Sequence, residues 1–224
     1  MNALRATGIL LAKELRLEFR RRELLTATLV FSLIVIVFFS FAFDPTPAES
    51  RRYGPGLLWI AFLFSGSLML NPTFSREQTN DTIDALRMAP VPPFAIVAAK
   101  LLANLFFLLI CEAILAPLFG IIYNVSLAGI VGRLAIVLLL GSLGLVTAGT
   151  AFSAISAHAR MRELLLPVLL LPILAPLLIA AVSATLALFA DSPVLDRTWV
   201  TFLAGFDIVF LTATWLLSDF LMEE

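Results

Sequence analysis

Two acidic residues inside long apolar segments are the strongest candidates for chemistry in this sequence. Glu112 and Asp207 both lie among Leu, Ile, Val and Phe residues, and a charge at the centre of a bilayer costs on the order of 2.5–3.5 kcal/mol on insertion scales. One interpretation is a polar seam of Asn104, Glu112 and Asp207 that rearranges during function. The alternative is packing alone, with each acid protonated or hydrogen-bonded to a nearby side chain (Asn104 for the first, Thr212 or Thr214 for the second).

No other group of residues has catalytic or metal-binding spacing. The single histidine, His158, lies in a polar turn and is expected to be solvated, and the single cysteine, Cys111, is expected to be a small packing residue. An intramembrane enzyme is therefore the least supported class. We predict no catalytic, cofactor-binding or metal site in this chain.

The composition predicts that a membrane-embedded scaffold positions these residues. The 224 residues are 61% hydrophobic and 14% charged, with a mean hydropathy of +1.02, whereas soluble domains carry roughly 25% charged residues. Since a helix needs about 20 apolar residues to cross the bilayer, we expect a single transmembrane domain, 1–224, without a sizeable soluble domain. The first apolar run is too long for a signal peptide. Six runs predict an all-α polytopic membrane protein: 24–43, 56–74, 94–118, 131–157, 164–190 and 199–220.

The basic residues predict the orientation of these spans. Eleven of the fifteen lie before the first run, in the segment from the end of the second run to Lys100 near the start of the third, and between the fourth and fifth runs. By the positive-inside rule those segments face the cytoplasm, which places both termini there. Trp59 and Trp199 fall near the outer ends of their spans, where indoles settle at the interface. The net charge of −1 offers no basic excess for a nucleic-acid partner.

Residues 1–22, ahead of the first span, have an amphipathic pattern. Leu4, Leu11, Leu15 and Phe19 recur at helical spacing beside an arc of basic residues. The pattern predicts an interfacial helix that is held by apolar burial and by anionic membrane lipid. A disordered basic extension that only fixes the topology is the alternative.

Residues 75–90, between the second and third spans, predict a short cytoplasmic helix. A capping box begins at Ser75, and Pro90 stops the helix that follows. Ile83 and Leu86 share one face, which so short a helix cannot bury within itself. That face must rest on lipid, on neighbouring spans or in a groove of another protein. A solvated connector is the alternative.

Three spans carry unusual packing residues. Pro117 is expected to loosen the third span beside Glu112, and Pro167, Pro172 and Pro176 predict that the fifth is bent, broken or re-entrant on the outer side. The fourth has small residues at four-residue spacing, typical of close packing within a chain, with a dimer contact as the alternative. They are Gly141, Gly144, Ala148, Gly149 and Ser153.

The order and spacing of these motifs resemble those of a known family. The 75–90 loop resembles the coupling helix by which type-2 ABC exporter permeases dock on their ATPase. The whole chain is similar to the membrane subunit of the bacterial haem exporter, the cytochrome c maturation protein B family. The matching loop residues are Glu77, Ile83, Asp84, Leu86, Pro90, Pro92 and Pro93, whereas Thr79 and Asp81 depart from the motif. Further matches are 13–23, 100–107, Glu112 with 117–119, 206–211 and 223–224.

The resemblance implies a permease subunit that couples ATP hydrolysis by a separate ATPase to release of a haem-loaded chaperone in c-type cytochrome maturation. Its implied partners are that ATPase, a second copy of this chain, a haem-handling membrane subunit and the haem chaperone, in the bacterial inner membrane. The sequence contains no P-loop and no Cys-x-x-Cys-His. ATP is therefore expected on the partner, and haem in the pathway rather than in this chain. The implied ATPase-coupling residues are Glu77, Ile83, Asp84, Leu86 and Pro90.

Two other functions remain open at this point. A type-2 ABC exporter of a lipid, glycan or drug shares every physical feature above. An ion-coupled secondary carrier would use Glu112 and Asp207 and would show inverted repeats, which are not evident in the sequence.

Overall fold

The computed structural model describes residues 3–74, 91–156 and 162–223, without the side chains of Arg21, 162–169 and 221–223. Throughout these ranges the regular secondary structure is helical. The helices are α1 (Ala3–Arg21), α2 (Glu23–Phe43), α3 (Pro47–Leu70), α4 (Pro93–Ile122), α5 (Val131–Ser156), α6 (Arg162–Phe189), α7 (Arg197–Leu216) and α8 (Ser218–Glu223).

Helices α2 to α7 are each long and apolar enough to cross a membrane, counting α3 with its continuation to Phe74. The prediction of an all-α, six-span, multi-pass membrane protein is therefore confirmed. The second span begins earlier than the apolar run that predicted it. A capping box explains this difference, because Glu49 N–H donates to Thr46 Oγ1 (3.4 Å) and Thr46 N–H donates to Glu49 Oε2 (2.9 Å).

Helix α5 lies at the centre of the bundle, in contact with α3, α4, α6 and α7. Of its apolar window 67% is buried, compared with 17% for α2 and for α7. A Cβ on Gly141 would lie 2.1 Å from the Trp59 ring, and one on Gly149 would lie 2.2 Å from Leu70. The Ser153 hydroxyl donates to the Leu70 carbonyl oxygen (2.8 Å). The predicted small-residue face thus packs within the chain, and its use as a dimer contact is ruled out.

The indole of Trp59 lies inside the bundle rather than at a membrane interface. It is 1% exposed, and its Nε1 donates to Thr185 Oγ1 of α6 (2.9 Å). The predicted interfacial position is wrong because the space beside Gly141 and the hydroxyl on α6 give the ring both packing and a hydrogen-bond acceptor within the protein.

Helix α6 runs without interruption from Arg162 to Phe189. The predicted break and the predicted re-entrant turn are therefore wrong, whereas a bend at the prolines stays a prediction. Membrane helices continue through proline where neighbouring helices and local adjustments satisfy the freed carbonyl groups. Helix α4 likewise continues through Pro117 to Ile122.

The predicted N-terminal helix is present as α1, and it packs along α4. Ala6 is fully buried, and the Phe19 ring contacts Phe107 edge to face with centroids 5.3 Å apart. Protein packing therefore anchors this helix, and its contact with lipid stays a prediction.

Candidate functional site

The end of the bundle from which residues 75–90 emerge, here called the loop end, is organised around a buried lysine. Lys100 lies about two turns into α4, and its side chain is 5% exposed. Its Nζ donates to the Thr73 carbonyl oxygen (2.9 Å), pairs with Glu14 Oε1 of α1 (3.5 Å) and lies 5.1 Å from the centre of the Phe74 ring. One charge thus joins α1, the end of span two and the start of span three.

These partners make the burial of Lys100 tolerable. An isolated ammonium group loses several kcal/mol of solvation when it is buried, and a carboxylate, a carbonyl oxygen and an aromatic face each offset part of that loss. From the sequence, Lys100 counts towards the topology and falls in the 100–107 match to the family, but no contact is predicted for it. The signal that could have identified it is its position, since one of the two lysines of the chain stands inside an apolar run.

Asn104 belongs to this junction rather than to the acidic residues. Its Nδ2 donates to Thr73 Oγ1 (3.1 Å), so that Thr73 is held through both its carbonyl and its hydroxyl group. The predicted hydrogen bond from Asn104 to Glu112 is wrong, because eight residues of α4 separate the two by about 12 Å. The structure therefore does not bring Asn104 to the acids.

Both flanks of the 75–90 segment pack on one apolar cluster at the loop end. Its buried members are Phe74, Ile96, Val97 and Ala154, against which Leu10, Val91 and Ala151 pack. The cluster links the start and the end of the segment to α1, α4 and α5. The predicted coupling helix lies outside the described residues, as do its coupling residues, Glu77, Ile83, Asp84, Leu86 and Pro90.

Glu112 is buried between α4 and α5, with 1% of its surface exposed. The Ser142 hydroxyl donates to Glu112 Oε1, whereas Oε2 has no hydrogen-bond partner in the part of the chain that the structure describes. A buried carboxyl group with an unpaired oxygen lacks the contacts that would stabilise its charge. Its position is therefore not fixed by a complete set of hydrogen bonds.

Asp207 of α7 is also buried, and its carboxyl group has fewer hydrogen bonds than that of Glu112. Within the described ranges neither of its carboxyl oxygens has a hydrogen-bond partner. Its predicted partners, Thr212 and Thr214, do not bond to it, and the Thr212 hydroxyl donates to the Ile208 carbonyl oxygen of its own helix (2.7 Å). Asp207 Oδ1 lies instead 2.7 Å from where a Cβ would stand on Gly144. The missing side chain at Gly144 makes room for this carboxyl group.

The two acids approach the same helix from different sides. Glu112 contacts Ser142 and Asp207 contacts Gly144, and two residues of an α-helix are separated by about 3 Å of rise and about 200° of rotation. The acids therefore lie at similar depths but on nearly opposite faces of α5. The predicted seam is divided in two by that helix.

The remaining sequence candidates add no reactive group to these sites. Cys111 is fully buried in the main apolar core and carries a free thiol, as expected of a packing residue. His158 lies outside the described residues. Among the residues that are described, no three His, Cys, Asp or Glu side chains are grouped so that they could hold a metal ion.

Known proteins resemble this chain in sequence. Heme exporter protein B of Pseudomonas aeruginosa is 33% identical over 118 residues, which are 53% of each chain. The protein of the same name from Escherichia coli K12 is 35% identical over 91 residues, or 41% of each chain. That of Paracoccus denitrificans is 33% identical over 116 residues, 52% of this chain and 53% of the relative. The chain thus spans about half the length of the curated relatives that it matches.

A family model covers more of the chain than these pairwise matches. It is described as CcmB protein, and it matches residues 5–220. This range includes α1 from its third residue onwards, the loop-end residues Glu14 and Lys100, and both buried acids. Because the match extends over nearly the whole sequence, the chain belongs to the CcmB protein family.

Proposed function

We propose that this chain is the non-catalytic membrane subunit of an ABC-type complex for haem delivery in c-type cytochrome maturation. Membership of the CcmB family and similarity to proteins named heme exporter protein B support the haem pathway. A separate ATPase subunit binds and hydrolyses ATP, since this sequence contains no P-loop. The free energy of hydrolysis drives release of a haem-loaded chaperone, and a haem-handling membrane subunit holds the haem.

The observation that carries this proposal is the joining of both flanks of the 75–90 segment at the loop end. Lys100, after the segment, bonds to Thr73, before it, and pairs with Glu14 of α1. Because these contacts join the two flanks of the 75–90 segment, a movement that an ATPase imposes on the segment also displaces its flanks. The movement passes into α1 and into spans two and three.

Helix α5 extends the same path towards the two acids. Its residue Ala154 belongs to the apolar cluster at the loop end, and Ser142 and Gly144 of the same helix contact Glu112 and Asp207. The distance from Ala154 to Ser142 is about 18 Å along the helix axis. A shift of α5 therefore changes the surroundings of both carboxyl groups, which supports a role for them in the conformational cycle.

The exposed spans fit assembly with other membrane chains. Helices α2 and α7 are the least buried spans, with 17% of their apolar windows covered. In the proposed complex, two copies of this chain and two ATPase subunits lie in the bacterial inner membrane, with both termini in the cytoplasm. The open faces of α2 and α7 then contact lipid, the second copy and the haem-handling subunit.

A double substitution in the loop tests the coupling role. In Asp84→Ala/Leu86→Ala the loop loses one charge and one apolar contact, so that ATPase stimulation and yields of haem-containing cytochrome should fall about tenfold or more. The unfolding midpoint of the membrane subunit should stay unchanged. Thr79→Ala/Asp81→Ala is the matched control, since both positions depart from the family motif. Wild-type coupling in the first variant, or equal losses in both, would contradict the docking role.

Deletion of the chain separates haem delivery from export of another substrate. Loss of all c-type cytochromes, with restoration by the wild-type chain, is expected under the proposal. Retention of these cytochromes would instead favour a type-2 exporter of a lipid, glycan or drug.

A further inference from the structure

A cavity lies at the end of the bundle opposite the loop end, between the end of α2, the first half of α3 and Tyr123, which follows α4. Its volume is about 420 Å³, within the ~300–1,000 Å³ of ligand pockets. Phe43 and Ile60 line the cavity and are also exposed on the outside of the bundle. The cavity therefore opens on a flank of apolar helices, where a membrane protein meets hydrocarbon.

The wall formed by Tyr123 is fixed by contacts behind it. The Tyr123 hydroxyl donates to the Ile36 carbonyl oxygen of α2 (3.0 Å), and its ring stacks on Phe119 with centroids 4.3 Å apart. Burial raises the pKa of Tyr123 to about 12, so that the hydroxyl stays protonated as a donor. This wall of the cavity is therefore preformed by contacts within the protein.

The lining of the cavity changes from polar to apolar along α3. Glu49 and Ser50 lie in the first turn of the helix. Leu57 lies about two turns further along, and Ile60 lies about 16 Å from Glu49 along the helix axis. The polar end of the cavity therefore lies near the end of a membrane span, and its apolar end extends along that span.

A buried hydroxyl group lines the polar end. Ser50 is 1% exposed, and its Oγ has no hydrogen-bond partner among the residues that the structure describes. An unpaired buried hydroxyl is costly, and a ligand that carries a hydrogen-bond acceptor would remove that cost. Ser50 is thus a polar attachment point for a molecule in the cavity.

The Glu49 carboxylate is the only charged side chain among the described residues that line the cavity. Its charge is stabilised in place, because the backbone N–H and the hydroxyl group of Thr46 both donate to Oε2 (2.9 and 2.7 Å) at a helix N-terminus. Since both bonds end on Oε2, Oε1 is open to a further donor within the described part of the chain. The charge at this end therefore favours a cationic group with N–H donors.

The two arginines that follow on α3 do not supply a positive charge to the lining. Arg51 pairs with Asp191 at 3.0 Å. Arg52 lies about 160° around the helix from Ser50, and its guanidinium group lies 5.4 Å from the centre of the Tyr53 ring. The occupant that fits best thus combines a hydrocarbon chain with a hydrogen-bond acceptor and an ammonium group at one end.

We propose that this cavity binds one acyl chain of a zwitterionic phospholipid whose head group ends in a primary ammonium. In this arrangement the ammonium group donates to Glu49 Oε1, and an ester carbonyl oxygen accepts a hydrogen bond from Ser50 Oγ. The acyl chain lies beside Gly56, where a Cβ would meet no atom within 4 Å, and extends towards Ile60. The bound lipid joins the ends of α2 and α3, and this role is independent of haem and of ATP.

Retention of lipid by the purified full-length chain tests the proposal. The chain is reconstituted in bilayers of equal phosphatidylethanolamine, phosphatidylcholine and phosphatidylglycerol, extracted in detergent, washed and analysed for bound phospholipid by mass spectrometry. Wild-type protein should retain phosphatidylethanolamine in preference to the other two. Phosphatidylcholine has a cationic group without an N–H donor, and phosphatidylglycerol is anionic, so the three lipids separate the hydrogen bond from the charge.

Three substitutions remove the three parts of the site separately. Glu49→Gln removes the charge and keeps a residue type that fits the capping box, so the preference for phosphatidylethanolamine should fall about threefold with the acyl chain still bound. Ser50→Ala should lower the total retained lipid about fivefold, because one hydrogen bond is lost. Gly56→Leu should lower it about tenfold, because the leucine fills the space of the acyl chain.

Two matched controls should retain lipid as the wild type does. Asp196→Asn removes an acid from another helix cap, since Asp196 Oδ1 accepts from Thr198 N–H (2.8 Å) at the start of α7, outside the cavity. Gly132→Leu adds the same side chain at a glycine outside the cavity, where a Cβ also meets no atom within 4 Å.

The outcomes that contradict the proposal are distinct for each part of the site. Wild-type protein without bound phospholipid, or with no preference for phosphatidylethanolamine, would overturn it. An unchanged preference in Glu49→Gln would overturn the ammonium contact, and undiminished retention in Gly56→Leu would overturn the position of the acyl chain. If Gly56→Leu does not fold, Gly56→Ala should give a smaller loss of retained lipid in the same direction.

Discussion

Two buried polar regions of this protein differ in how completely their partners satisfy them. At the loop end, the Lys100 side chain is 5% exposed and contacts a carbonyl oxygen, a carboxylate and an aromatic ring. Deeper in the bundle, Glu112 and Asp207 are 1% and 3% exposed, yet three of their four carboxyl oxygens lack a hydrogen-bond partner among the described residues. The polar groups of the two regions are buried to a similar extent, but most of the carboxyl oxygens lack the hydrogen-bond partners that the lysine has.

This difference indicates that the two regions have different roles. A buried charge with a full set of partners resists separation of the elements that supply them, because removing one partner leaves another unpaired. A buried group without partners holds nothing in place, and a small movement of its neighbours can change its environment at little cost. The loop end is therefore suited to transmitting force, and the acids are suited to responding to it.

The largest expected effect on stability is that of Lys100→Met, which keeps the length of the side chain and removes its charge. Glu14 loses the more buried of its two lysine partners and the Thr73 carbonyl oxygen loses its donor, so the free energy of unfolding should fall by about 3 kcal/mol. The unfolding midpoint in detergent measures this change. Lys13→Met is the control, since Lys13 pairs with the same carboxylate (3.3 Å) but its side chain is 40% exposed. The free energy of unfolding of Lys13→Met should fall by less than about 1 kcal/mol. An equal fall in Lys13→Met and Lys100→Met would show that the buried ion pair contributes no more than the exposed one.

The second effect is expected at the contact between Asp207 and α5. A Cβ on Gly144 would lie 2.7 Å from Asp207 Oδ1 and 2.8 Å from Leu177 Cδ1. Gly144→Ala should therefore destabilise the protein by about 1–3 kcal/mol. Asp207→Ala in the same chain should restore part of that loss, which a double-mutant cycle of unfolding midpoints measures. Additive effects would show that the carboxyl group does not rest on this glycine.

Amide substitutions of the acids should change function far more than stability. Glu112→Gln and Asp207→Asn keep the shape of each side chain, so the free energy of unfolding should change by less than about 1 kcal/mol. If the acids respond to movement of α5, the yield of haem-containing c-type cytochrome should fall sharply at unchanged protein level, as judged by haem staining. Asp219→Asn, at an exposed acid, should have no effect. Normal maturation in both amide variants would leave the acids with a packing role only.

A smaller loss of stability than those of Lys100→Met and Gly144→Ala is expected from Asn104→Ala, which tests the hydrogen bond between Asn104 and Thr73. It removes one hydrogen bond to Thr73 Oγ1, and Lys100 still holds the Thr73 carbonyl oxygen. A loss of about 1 kcal/mol is expected from the unfolding midpoint. A loss as large as that of Lys100→Met would mean that the amide, rather than the charge, holds the junction together.

Features that depend on local composition were predictable from the sequence. The six spans follow from runs of apolar residues, and the N-terminal helix follows from the spacing of Leu4, Leu11, Leu15 and Phe19. The packing residues on α5 were predictable as well, since small residues at four-residue spacing allow helices to approach closely.

Features that depend on rotation between helices were not predictable in this way. The sequence pairs Asn104 with Glu112 and places Trp59 at an interface, whereas the structure turns Asn104 towards Thr73 and Trp59 towards Thr185. In an almost uniformly apolar span, the pattern scarcely indicates which side faces the protein. Proline likewise predicts a bend, a break or a re-entrant turn in α6, whereas the structure has one helix from Arg162 to Phe189.

The sequence by itself determined the class of protein, the number of spans, the absence of an ATP-binding loop and the resemblance to a haem-exporter subunit. Each of these depends on composition or on residue order along one chain. Only the tertiary structure decided that Lys100 joins three elements and that α5 separates the two acids. The physical reason is that satisfaction of a buried polar group depends on atoms from distant parts of the chain, and their positions are set by the packing of whole helices.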